Sequence, residues 1–432
     1  MMVFRNATDC NYFCFEIGLN RFQISIYVCN RFNLLHVFDS FGRHSLPNVP
    51  STGRTSRSAQ SKFYYIMSIL PSPTLPTLST WLLFVSISIS ALGQDAPDSN
   101  KGLKDYYKDY FDMGVAITPR DVKGPEATLI LKHFNSITAE NAMKMGPIHP
   151  KENQYNWAPA DTIVNFARRN NLRMRGHTLC WHNQAPSWMF VDEQGAQVSK
   201  EVHLKRLKDH ITAVVTRYKD AIYAWDVVNE VIDDNDENFY RESQWYKICG
   251  DEYIEKAFVY AHEADPDALL YYNDYNTESP GKRDRIYKLL TRLKAMGVPV
   301  HGVGLQGHWS VYDPDGSAIR TSVEKFAALG LDVQITELDV SVYPSEDGRR
   351  ERRADESDAF TPELMQKQIG QYKTIFEVLR EQKEKISSVT FWNVSDRRSW
   401  LDNFPVRGRK NYPLLFDQQL NPKKAYWEVI KF

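Results

Sequence analysis

A (β/α)8 barrel, a TIM barrel in a single catalytic domain, is the fold that three observations predict. Apolar runs of strand length alternate with amphipathic stretches of helical period from Gly102 to the end of the chain. Polar and charged residues gather at the C-terminal ends of those runs, where a parallel barrel builds its site. No glycine-rich phosphate loop follows the first run, as the alternative, an open doubly wound sheet, would lead one to expect.

The 432 residues could hold two or three average domains, yet a barrel uses about 250 or more as one. A hydrophobic content of 42% suffices for a large core, and a net charge of −1 points neither to nucleic acid nor to an anionic membrane. The strand candidates are Met113–Ile117, Phe134–Thr138, Leu172–Thr178, Ile222–Val228, Leu269–Asn273, Val300–Gln306, Asp332–Thr336 and Ser388–Asn393. Helix-like stretches between them are Ala160–Asn170, Lys200–Tyr218, Asp251–Ala264, Lys282–Met296, Ser322–Leu329 and Glu363–Lys383. In the second of these, Leu204, Leu207, Ile211, Val214, Val215 and Tyr218 recur at helical spacing.

The chain before the barrel reads differently. Residues 1–66 show no persistent period, hold Cys10, Cys14 and Cys29, and end in a Ser/Thr/Arg/Gly/Pro-rich stretch. They read as an over-extended gene start or a disordered extension. Residues 67–93 run from Met67 through the apolar Trp81–Ser90 to Ala91-Leu92-Gly93, the pattern of a signal peptide cleaved before Gln94. That apolar run is too short to span a bilayer. The expectation is a secreted protein, extracellular or periplasmic, whose mature form covers 94–432, stands off the membrane and is a monomer. Cys180 and Cys249 are then its two cysteines, at a spacing that makes neither a disulfide framework nor a zinc site.

Two charged stretches have plain readings. The mixed-charge run between Pro344 and Phe360 reads as a solvated loop. Asp233–Glu237 lacks the glycine and the closing glutamate of a calcium loop and reads as a solvated turn.

The chemistry lies at the strand ends. Two runs, Ala221–Val228 and Val333–Thr336, each deliver a glutamate, Glu230 and Glu337. Around them the ends supply Glu140, Asn141, Lys144, His177, Trp181, His182, Trp188, Asn229, Asn273, Tyr275, Gln306, His308, Asp339, Trp392, Asp396 and Trp400. Hydrogen-bonding groups interleaved with tryptophans suit sugars, and a phosphate site would ask for a basic cluster. Two carboxylates flanking one bond suit glycoside hydrolysis, one protonated to expel the leaving oxygen and the other ionised. Such carboxylates need no cofactor or metal, and His177 and His182 lack the HExxH spacing of a zinc helix.

The motifs FNSITAEN (134–141), MKMG (143–146), GHTLCWHNQAPSW (176–188), WDVVNE (225–230), YYNDYN (271–276), GVGLQGH (302–308), ITELDV (335–340) and FWNVSDRRSWL (391–401) resemble glycoside hydrolase family 10, the endo-β-1,4-xylanases. They cover about Lys104 to Lys431 in that family's order. The resemblance implies a retaining enzyme acting on xylan and xylo-oligosaccharides. It implies Glu230 as acid/base and Glu337 as nucleophile. Asn229 would bond the sugar 2-hydroxyl, His308 and Asp339 would keep the nucleophile ionised and oriented, and Gln306 would support the nucleophile's carboxylate. It places Glu140, Asn141, Lys144, His177 and Trp181 along the non-reducing-side subsites, Trp392 and Trp400 as aromatic walls, and Tyr275 beyond the cleavage point. Asn393 departs from it, standing where many members have glycine. Rival readings are a mixed β-1,4-glucanase/xylanase and a catalytically inactive xylan-binding barrel.

Overall fold

The computed structural model describes residues 100–346 and 348–432 in full and, ahead of them, the backbone of four strands. Those strands, Val3–Phe4, Tyr12–Leu19, Phe22–Cys29 and Leu34–Asp39, form an antiparallel sheet in chain order, within a unit spanning Met1–Gly93. No persistent period is expected here, and the pairing shows why. Phe13, Phe15, Ile17 and Leu19 register with Val28, Ile26, Ile24 and Phe22, but Tyr12, Cys14, Tyr27 and Cys29 at the alternate positions blur the alternation. The expected signal peptide, 67–93, lies outside the described residues.

The second unit, Gln94–Phe432, holds the barrel. Its strands are β1 (Asp112–Ile117), β2 (Ser136–Ala139), β3 (Arg173–Trp181), β4 (Ile222–Asn229), β5 (Leu269–Asp274), β6 (Gly302–Leu305), β7 (Asp332–Ser341) and β8 (Ile386–Phe391). All pair in parallel with their neighbours in chain order, and β8 returns to β1 with Val389 opposite Met113 and Thr390 opposite Gly114. The ring is closed, and the predicted fold stands. Strands buried on both faces read as continuous apolar runs, which makes all of them legible.

Boundaries differ where local chemistry outweighs periodicity. The helix expected at Ser322–Leu329 spans Gly316–Ala327, because Asp315 caps it by accepting from the Ala318 amide at 2.8 Å. β3 and β7 run on past the predicted ends, so the mouth is built from strand as well as loop. Among the described residues no helix is long and apolar enough to cross a membrane.

Inside the barrel a polar cluster lies among the apolar side chains. Asp226 on β4 takes a two-pronged bond from Arg175 on β3, and both are completely buried. The same carboxylate is 2.8 Å from His177 Nδ1. A buried pair is poor evidence for stability in itself, but removing one partner strands the other. Asp226→Ala is therefore expected to destabilise the barrel by about 3–5 kcal/mol, read as a lowered midpoint in denaturant melts. A loss below about 1 kcal/mol would mean water or another anion replaces the carboxylate.

The charge-rich stretches are more organised than solvated loops. Arg409, 4% exposed, lies between Glu346 at 2.6 Å and Glu356 at 3.1 Å, and Arg350 pairs with both glutamates. In the 233–237 turn, Asp236 pairs with Arg285 and Asp234 with Lys282. Distant partners fix both segments, and no local pattern announces them.

Candidate active site

Glu230 follows the last residue of β4 and has a left-handed backbone, φ 59°. A non-glycine residue there costs about 1–3 kcal/mol unless its surroundings fix it. They do. Its amide donates to the Asn273 carbonyl at 2.9 Å, and its own carbonyl accepts from Arg241 Nε at 3.2 Å. Oε1 accepts from Gln306 Nε2 at 2.8 Å and Asn229 Nδ2 at 3.1 Å, while Oε2 accepts from Trp181 Nε1 at 2.7 Å. Burial pushes this carboxyl above the usual range; Gln306 and Trp181 oppose the shift, while the charges of Asp274 and Glu337 add to it.

Glu337 sits within β7, also buried. Oε1 accepts from Asn273 Nδ2 at 2.8 Å, and Oε2 lies 3.3 Å from His308 Nε2. Burial alone would raise this carboxyl as well. His177 close by, the hydrogen bond and charge of His308, and the charge of Lys144 overcome it and hold Glu337 down at about 2. One environment pushes its carboxyl up and the other holds its carboxyl down, the split that acid and nucleophile chemistry demand.

The two carboxylates share one amide lattice. Asn273 donates to both Glu337 and Asn229 Oδ1, the latter at 2.9 Å, and accepts from Thr336 Oγ1 at 2.6 Å. Asn273 stands out at the end of β5 in sequence, yet nothing in the sequence assigns it a role. Only the register Asn229↔Asn273 reveals that it bridges the pair.

His308 Nδ1 lies 3.1 Å from Asp339 Oδ2, which also accepts from Trp400 Nε1 at 2.8 Å. Burial would lower the imidazole's affinity for its proton, but Asp339 and Glu337 raise it to about 10. Gly307, at φ 77°, makes the turn that lets Gln306 and His308 serve different carboxylates, and a Cβ there would lie 2.9 Å from Ile335. Since His308⁺ favours ionised Glu337, His308→Asn raises the nucleophile's pKa. The acidic limb of the kcat/KM profile is expected to move to higher pH by roughly one unit or more, with the alkaline limb unmoved. An unmoved acidic limb would show that His308 does not govern the nucleophile.

One expectation needs correction. Gln306 is expected to support the nucleophile, but its side chain serves Glu230; only its main-chain carbonyl reaches Glu337, accepting from that amide at 2.7 Å. The side chain extends from the end of β6 toward the end of β4, a direction that sequence does not carry.

Lys144, His177, Trp392 and Trp400 gather round the same carboxylates, whereas Trp188 bonds the His149 carbonyl and Asp396 pairs with Lys423. Lys144 Nζ donates to Asn141 Oδ1 at 3.0 Å and lies 4.8 Å from the Trp181 ring and 5.8 Å from Trp392. Burial lowers its pKa despite the opposing charges of Glu337, Glu140 and Glu230. His177 meets Trp392 edge to face at 5.1 Å, and Trp400 lies 4.8 Å from His308. Glu140 accepts from Asn393 Nδ2 at 3.0 Å, and Asn393 has φ 126°, a backbone suited to the glycine expected there. Tyr275 stands apart, its hydroxyl on Asp234 and Arg241. Cys180 and Cys249 are buried free thiols. Among the described residues no group of three or more His, Cys, Asp or Glu side chains could hold a metal ion.

A parallel barrel with two oppositely tuned carboxylates at its mouth, among tryptophans and amides, defines a glycoside hydrolase. The chain belongs to glycosyl hydrolase family 10, a retaining family whose model matches residues 102–432. It is 49% identical over 324 residues to endo-1,4-beta-xylanase B of Paenibacillus barcinonensis, covering 75% of this chain and 96% of that one. It is 47% identical over 353 residues to beta-1,4-xylanase of Dictyoglomus thermophilum, covering 81% and 97%. Among solved structures, xylanase XynB from Paenibacillus barcinonensis, complexed with a conduramine derivative, superposes with a TM-score of 0.74 at 47% identity. That match covers 78% of this chain and 99% of the other.

Proposed function

We propose that the protein is an endo-1,4-β-xylanase that cuts internal bonds of xylan by double displacement. Glu230 protonates the departing oxygen while Glu337 attacks the anomeric carbon, giving a covalent glycosyl-enzyme; Glu230, now ionised, then draws a proton from the water that releases the sugar. Asn229 bonds the 2-hydroxyl as charge develops on the ring. His308 and Asp339 hold Glu337 ionised. Glu140, Asn141, Lys144, His177 and Trp181 bind the non-reducing side, Trp392 and Trp400 wall the cleft, and Tyr275 lies beyond the cleaved bond. The observation that carries this reading is the pair of buried carboxyls at the barrel mouth, joined through Asn229 and Asn273 but held differently, Glu230 by Gln306 and Trp181 and Glu337 by His308.

Digestion of linear xylan and of a soluble β-1,4-glucan, followed by NMR of the first anomer released, tests the activity. Xylo-oligosaccharides released first as the β-anomer support it. Glucan cut as fast as xylan would make the enzyme a mixed glucanase, and no cleavage of either would leave a binding protein. We further propose a secreted monomer with its leader removed ahead of Gln94, a reading supported by the apolar run Trp81–Ser90 followed by Ala91-Leu92-Gly93. N-terminal sequencing of secreted protein should begin near Gln94, and a start at Met1 would refute the leader.

A further inference from the structure

We infer that Asp274 is a positioning residue for the acid/base: its buried carboxylate, with Lys282 as counter-ion, fixes Glu230 from behind and keeps the proton on it. The inference rests on Glu230 being the acid/base. Asp274 ends β5 and is completely buried. It accepts from the Tyr272 hydroxyl, from the Tyr275 amide at 2.9 Å and from Lys282 Nζ at 3.0 Å. Lys282, on the helix Pro280–Ala295, also donates to Asp234 Oδ1 at 2.8 Å. Asp234 holds Arg241 Nη2 at 3.0 Å, and Arg241 holds the Glu230 carbonyl. On the other side, the Asp274 carbonyl accepts from the Gln306 amide at 2.9 Å, and the Gln306 side chain returns to Glu230 Oε1. The circuit therefore begins and ends on Glu230.

A buried ion pair is a costly way to gain rigidity, since neutral groups of like shape would serve as well. What a carboxylate adds is charge. Other groups also act on Glu230. From the end of β3 comes Trp181 and, just past it, His182, whose imidazole nitrogen is 3.8 Å from Oε2 and which burial holds neutral with a pKa of about 4. From β7 comes Glu337, from the loop after β4 Arg241, and from the far wall Lys144. Tyr275 feels the Glu230 charge in turn. The charges of Asp274 and Glu337 both push the Glu230 carboxyl up; burial pushes the Asp274 carboxyl up too, against the pull of Lys282, the Tyr272 hydroxyl and Arg241.

The test is the pH profile of kcat/KM on xylohexaose for wild type, Glu230→Ala and Asp274→Asn. Asparagine keeps the shape and removes the charge, and Lys282 stays paired with Asp234. Loss of a neighbouring negative charge stabilises ionised Glu230, so the alkaline limb should move to lower pH by roughly half to one unit. The acidic limb, set by Glu337, should stay in place. Uniform loss of rate with both limbs unmoved would make Asp274 merely structural and overturn the inference. An alkaline limb that persists in Glu230→Ala would instead remove the acid/base assignment, and this inference with it. Should Asp274→Asn fail to fold, Asp274→Asn/Lys282→Met deletes both charges. The inference requires the limb still to fall, by less, and an unmoved limb there overturns it equally.

Discussion

Glu337→Ala is expected to lower kcat on xylan by roughly 10^5-fold or more, because no other group can form the glycosyl-enzyme. The hydrogen-bonding frame should survive, since Asn273 keeps Asn229 and Thr336, and His308 keeps Asp339. The loss should thus fall on kcat, with oligosaccharide binding largely retained. Removing a carboxylate also opens space beside a cationic imidazole, a natural seat for a small anion. Azide placed there can attack the anomeric carbon once and give the α-glycosyl azide, a product of inversion. Mass spectrometry and NMR of the product would show it. A variant with more than about one hundredth of wild-type turnover would assign the nucleophile elsewhere.

Glu230→Ala should behave in the opposite way. Acid/base help contributes roughly 10^2–10^4-fold, so kcat/KM on xylan should fall by about that factor. Substrates whose leaving group needs no proton, such as dinitrophenyl xylobioside, should lose little in the first step. The glycosyl-enzyme then accumulates, since no base activates water, and a burst of released phenol should precede a slow steady state. Azide in the vacated space should attack the intermediate and give the β-glycosyl azide, a product of net retention. Equal losses on both substrates, with no burst, would mean that Glu230 supports the cleft without transferring a proton.

Much of this site is legible in the amino-acid sequence alone. Barrel strands are largely apolar, and polar residues gather at one end of the barrel, so Glu230, Glu337, His308 and Trp400 stand out by position. The direction of side chains across the mouth is not legible in the same way. Gln306 stands two residues from His308 and serves the opposite carboxylate. Asn273 is visible as a strand end, but its bridging role depends on a register between strands more than forty residues apart. The circuit through Asp234, Arg241, Lys282 and Asp274 is hidden differently: its members sit in a turn, a loop, a helix and a strand, and ion pairs between such places leave no periodic trace. The same holds for the glutamates that Arg409 gathers.

The closed ring has a consequence for how this enzyme could be altered. Asn229 pairs with Asn273, Asp274 with Leu305, and Leu305 with Ile335, so successive ladders lead from one catalytic strand to the other. The spacing of the two glutamates is thus set first by the sheet, with Arg241 of the loop after β4 holding the Glu230 carbonyl in place. Loops that touch neither glutamate can be varied to admit a different polysaccharide while the bond-breaking geometry is inherited unchanged. Evolution and protein engineers are offered the same bargain: a fixed engine beneath replaceable walls.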